Sequence, residues 1–211
     1  MPPETPPQEF DWRRPQTFLA VAGAAVTSPR QFFAQITRGG GFLAPVAFFL
    51  LAMLAPTMVN ALLQWSQGPL AMLSFFATSL LKSAVMLAAF ALVLHGVCRL
   101  AFKTTLKLPD VLRIVCYASG VRALEFLPLV LSSLAGGLLS IIIVLFIAYL
   151  VWVGLQAAGG LNRYQALGAL LLAFVTMVGL WLAVNFLRGV NPLPNLPAPP
   201  SPAGAPPASQ P

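Results

Sequence analysis

Charge is what this sequence has least of. Only 17 of its 211 residues are Asp, Glu, Lys or Arg, or 8%, against about 25% in an ordinary soluble domain. So few charges cannot cover a water-facing surface, which excludes a soluble globular domain. Histidine is scarcer still: His95 stands alone, so no metal site can be built from histidines. The two cysteines, Cys98 and Cys116, lack metal-type spacing and read as buried or free thiols. The first 17 residues, MPPETPPQEFDWRRPQT, carry no apolar run, so no cleavable signal peptide is expected. Also missing are H-E-x-x-H, G-x-S-x-G and a phosphate-binding glycine loop with lysine. Asp110 and Glu125 would lie about 22 Å apart on a helix, too far to work as a pair. Ser132 or Ser133 would have no base nearby, because His95 falls at the opposite membrane face. Neither an enzyme nor a bound cofactor is expected.

Apolar residues fill the space that charge leaves. They make up 58% of the chain, and the mean hydropathy is +0.85. The expected class is an all-α integral membrane protein, counted in spans of about 20 residues. The net charge of +7 is not a nucleic-acid footprint, since the basic residues flank apolar runs instead of forming one basic face. It points to membrane topology and to a bilayer with anionic headgroups as partner.

Residues 1–17 read as a disordered tail, with four prolines among the first seven positions. Residues 18–41 read as an interfacial segment. Ser28–Pro29 is a helix-start signal. After it Phe32, Phe33 and Ile36 share one face, and Arg30, Gln31, Gln35 and Arg38 lie on the other side. A helix this short cannot span. It is expected to lie on the membrane surface, anchored by Arg30, Phe32, Phe33, Ile36 and Arg38. Gly39, Gly40 and Gly41 end it.

Residues 42–187 then hold five spans, at about 42–64, 80–102, 111–134, 138–158 and 165–187. Pro56 should kink the first. The apolar run 70–102 would be about 50 Å long as a helix, so 70–79 is read as a lead-in. Lys82 then sits near the outer interface, where it can snorkel. Asp110 can cap the third span, and Gly136–Gly137 reads as the turn into the fourth. Residues 188–211 form a Pro/Ala-rich tail, expected to be disordered.

Five spans put Arg13, Arg14, Arg30, Arg38, Arg99, Lys103, Lys107, Arg113 and Arg163 on one side, with Arg188 on the other. The positive-inside rule makes that first side cytoplasmic, with the N terminus inside and the C terminus periplasmic or external. A weak boundary within 70–102 could instead hide a sixth span, breaking this charge alternation.

The third span is the polar one. Arg122 and Glu125 are three residues apart and share a helix face. An ionisable group at mid-bilayer costs about 2.5–3.5 kcal/mol on insertion scales. One reading is a polar site or ion pathway formed with Lys82 or Tyr117; the other is a structural pair. His95 can be a proton relay or a packed helix-end residue. The small residues Gly154, Ala158, Ala169 and Ala173 imply close helix approach, within one chain or between two copies. Trp65, Trp152 and Trp181 match the usual aromatic content of membrane proteins.

Three stretches carry a family likeness: SPRQFFAQI before span one, LVLHGVCRLAFKTTLKLPDVLRIVCYAS across spans two and three, and VGLQAAGGLNRYQALGALLLA across spans four and five. Over about residues 28–187 the chain resembles the Yip family, Ypt/Rab-interacting proteins, in its bacterial branch. It departs from the family after Cys-Tyr-Ala-Ser, where Gly120, Arg122 and Glu125 stand. The resemblance implies a non-enzymatic polytopic protein of the bacterial inner membrane. It would act as a membrane-organising or protein-interaction scaffold, with a membrane-protein partner or by self-association. The alternative from the residues themselves is a small transporter or channel using the polar face of span three.

Overall fold

The structure, a computed structural model, describes residues 9–36, 41–131 and 133–187. Arg38, Gly39 and Gly40 of the expected anchor and turn, and both ends of the chain, lie outside the described residues. Among the described residues all regular structure is helical.

The interfacial segment contains two helices, α1 (Thr17–Thr27) and α2 (Pro29–Ile36). They part at Ser28, whose φ of −136° and ψ of 56° are not helical. Pro29 then opens α2 at a position where its missing N–H costs nothing. Of the expected anchor residues, the apolar ones turn inward. Phe32 and Phe33 are fully buried and Ile36 nearly so, with α2 packed against a long helix of the bundle. Its apolar face therefore meets protein instead of acyl chains, while Arg30, Gln31 and Gln35 stay exposed.

α3 (Leu43–Leu63) matches the first expected span, with Pro56 inside it. α4 (Pro69–Leu100) is one uninterrupted helix of 32 residues. The expected lead-in over 70–79 is thus helical and continuous with the second span. Gly68, at φ 96°, makes the sharp entry that a side chain would resist.

The third expected span is not a single helix. It consists of α5 (Leu108–Ala118), a 3₁₀ stretch Ser119–Glu125, and the short α6 (Phe126–Val130). Two residues explain the break. Pro128 cannot donate to Leu124 and its ring crowds that carbonyl. Gly120 lies against Phe48, so that a Cβ there would be 2.6 Å from the ring. The broken segment still carries the chain from the end where α4 finishes to the end where the next helix starts. Asp110 caps α5 as expected, accepting from the Lys107 N–H at 3.2 Å.

α7 (Ser133–Gly159) starts earlier than the fourth expected span and includes both Gly136 and Gly137. Gly136 is there for contact, not for a turn: a Cβ would sit 2.4 Å from the Pro128 carbonyl oxygen. α8 (Arg163–Leu187) begins at a reciprocal cap. The Asn162 side chain accepts from the N–H groups of Tyr164 and Gln165, and Gln165 accepts from the Asn162 N–H at 3.2 Å. On α8 the buried residues are Ala166, Ala169 and Ala173, which let α4 and α7 approach closely.

Among the described residues four helices, α3, α4, α7 and α8, are long and apolar enough to cross a membrane. Of the five expected spans, four are such helices, and the third in chain order is the segment divided into α5, the 3₁₀ stretch and α6.

Candidate functional site

Two polar centres occur within the apolar bundle. The first is built on Arg113, in the second turn of α5. Its side chain is 1% exposed. Nη1 donates to the Ile36 carbonyl, and Nη2 donates to the Gly41 carbonyl at 2.8 Å. Nη1 also lies 3.3 Å from a carboxylate oxygen of Glu9. Tyr117, one turn further along α5, donates to the same oxygen at 3.4 Å. One guanidinium thus binds the end of α2, the approach to α3 and the N-terminal segment. A planar fork with five donors can do this; an ammonium cannot.

The aromatic packing follows the same joints. Phe10 meets Phe48 at 5.6 Å between ring centroids and Phe18 meets it at 4.7 Å. Tyr117 lies against both Phe32 and Phe48. In the sequence Arg113 reads as one of the charges of the polar third span, on its cytoplasmic side, and Glu9 falls in the tail expected to be disordered. The available signal was Glu9 followed directly by an aromatic residue.

The second centre is the pair Arg122–Glu125 in the 3₁₀ stretch, with Nε to Oε1 at 3.0 Å. Of the four residues expected to cluster, these two meet. Tyr117 belongs to the Arg113 centre, and Lys82 stands exposed on α4 outside the cleft. Arg122 also approaches the Met53 sulfur at 3.9 Å. The pair separates two cavities. Glu125 lines an outer cleft of about 280 Å³ with Thr57, Asn60, Ser79, Ser83 and Ser140. Arg122 lines a second, smaller cavity of about 180 Å³ with Ser119 and Phe90. Val144 of α7 borders both.

No group of three or more His, Cys, Asp or Glu gathers to hold a metal among the described residues. Among the described residues His95 Nδ1 is buried without a hydrogen-bond partner. Cys98 and Cys116 are free and fully buried. A membrane-impermeant maleimide is therefore expected to leave the native protein unlabelled and to label both thiols after denaturation in SDS. Mass spectrometry of the two samples checks this.

The family model described as the Yip1 domain matches residues 23–185, which include α2, Arg113 and the four long helices except the last two residues of α8. The chain belongs to the Yip1 domain family. No curated protein and no solved structure matches it. The Yip1 match together with four long apolar helices makes this a multi-pass membrane protein. The Yip1 domain here begins inside α1, so Glu9 and Phe10 precede it yet pack against its core.

Proposed function

We propose that this Yip1-domain protein is a non-enzymatic membrane-organising scaffold that binds other membrane proteins or itself. The observation that carries this reading is a basic surface at one end of the bundle. Arg30, Arg99, Lys103, Lys107 and Arg163 are all exposed. Leu106 packs near Gly159 and Leu161, which brings the α4–α5 and α7–α8 connections together. Arg30 borders a hollow with Gln156, Ala157 and Leu161, which adds α2 to the same end. Such a surface suits anionic headgroups and the acidic face of a partner.

In this reading the membrane is a bacterial inner membrane and the basic end is cytoplasmic. The N terminus is then inside and the C terminus periplasmic or external. Photo-crosslinking in cells from Gln31 and Tyr164, both exposed at the basic end, tests it. A discrete crosslinked partner, or a crosslinked dimer, is the expected outcome. Adducts absent from these sites but abundant from Leu171 on the lipid-facing side of α8 would contradict it.

A second reading, a small transporter or channel, is favoured by the Arg122–Glu125 pair between two cavities. Solute flux into proteoliposomes that falls in the Arg122→Gln/Glu125→Gln double variant would support it. No flux above that of empty liposomes would sink it.

A further inference from the structure

The outer cleft has a chemical bias. It lies at the end of the bundle opposite the basic surface, among the last turns of α3, the first half of α4 and the first turns of α7. Several of its donors are already used. Asn60 Nδ2 donates to the Pro56 carbonyl at 3.1 Å. Ser140 Oγ donates to the Gly136 carbonyl at 3.0 Å. Arg122 Nε is taken up by Glu125 Oε1.

What remains on these side chains accepts. Asn60 keeps its carbonyl oxygen, Ser140 keeps oxygen lone pairs, and Glu125 keeps Oε2, the oxygen other than the one paired with Arg122 Nε. Each of these groups has acceptor capacity beyond the bond it makes. The hydroxyls of Thr57, Ser79 and Ser83 can turn to accept as well. The cleft therefore offers acceptors around one carboxylate, at a depth where an unmet polar group is costly. Its complement is a cation with several N–H donors. The volume of about 280 Å³ is many times the roughly 30 Å³ that a water occupies. That is too roomy to grip a bare metal ion and wide enough for a small organic one.

We propose that this cleft binds a primary ammonium group, held by Glu125 Oε2 and the surrounding hydroxyl and amide oxygens. This rests on the second reading only in treating Arg122–Glu125 as an accessible polar site; it does not require transport. The ammonium can arrive on a free amine from the aqueous side or on the ethanolamine headgroup of a lipid.

The test uses the full chain. Ethanolamine is titrated by calorimetry into protein purified in neutral detergent, with choline, which has no N–H donor, as the control. In parallel, native mass spectrometry reads lipid retained from phosphatidylcholine nanodiscs with and without phosphatidylethanolamine. Saturable ethanolamine heat supports the site with a free amine as ligand. Selective retention of phosphatidylethanolamine supports it with a lipid as ligand. Choline should bind at least about tenfold more weakly than ethanolamine, the equivalent of one lost charge-assisted bond.

Ser83→Leu fills the cleft while leaving the ion pair in place, and should abolish whichever binding is seen. Arg122→Gln/Glu125→Gln removes the carboxylate without stranding a charge, and should do the same; both variants are first shown monodisperse by size exclusion. Equal binding of choline, unchanged binding in folded Ser83→Leu, or no binding in either arm overturns the proposal. Solute flux, measured separately, bears on the transport reading alone: amine binding without flux keeps the site and removes the transporter.

Discussion

Replacing Arg113 with methionine is expected to cost about 3–5 kcal/mol, the penalty for breaking a buried ion pair from one side. The substitution leaves the carbonyls of Ile36 and Gly41 without their donor and Glu9 without its counter-charge. Ordinary domains are stable by only about 5–15 kcal/mol, so the monodisperse yield after detergent extraction should fall severely. Arg113→Lys should rescue little, because one ammonium cannot reach two carbonyls and a carboxylate from a fork's position. Glu9→Gln/Arg113→Met should recover only the part owed to the stranded carboxylate. Thermal unfolding of the four proteins, followed by size exclusion, measures this. A melting temperature for Arg113→Met equal to that of the parent would mean that Arg113 does not fix these segments.

Gly154→Leu is the second large effect. A Cβ at this position would sit 2.5 Å from Ile114 Cγ2 and 3.3 Å from Phe33 Cγ. A leucine must therefore push α5 and α2 away from α7. Overpacking of this kind costs about 3 kcal/mol. In a chain of this size that is a fall of about 6–12 °C in melting temperature. Gly137→Leu on the same helix is the control: its Cβ meets nothing within 4 Å, and a helix gains by losing a glycine. The control should melt at or above the parent temperature. Equal losses in the two variants would contradict the close approach at Gly154.

The long apolar helices were legible because their signal is local. A run of about 20 apolar residues needs no partner to be recognised, and the start of α2 was marked by Ser28–Pro29. What was not legible depended on residues distant in sequence. The phenylalanine face of α2 has the same periodicity whether it meets lipid or protein; α7, more than a hundred residues later, decides for protein. Gly136–Gly137 reads as a turn locally, yet Gly136 is required by Pro128 across the α6–α7 contact. Arg113 looked like one more topological charge because its partners are 72 and 77 residues away, at Gly41 and Ile36. The Arg122–Glu125 pair was legible, since its spacing is a helix-surface rule. Its cavities were not, because α3, α4 and α7 supply their other walls.

α2 and the segment before it are packed into the bundle through Phe10, Phe32, Phe33 and Ile36. The most direct measurement is spin-label accessibility at position 33 in reconstituted protein, using Phe33→Cys with Cys98 and Cys116 replaced by alanine. A label at Gln31→Cys serves as the exposed reference. Burial against α7 predicts low collision at position 33 with both oxygen, which concentrates in lipid, and a water-soluble nickel chelate. High oxygen accessibility at position 33 would contradict the account, placing the phenylalanine face of α2 among the acyl chains.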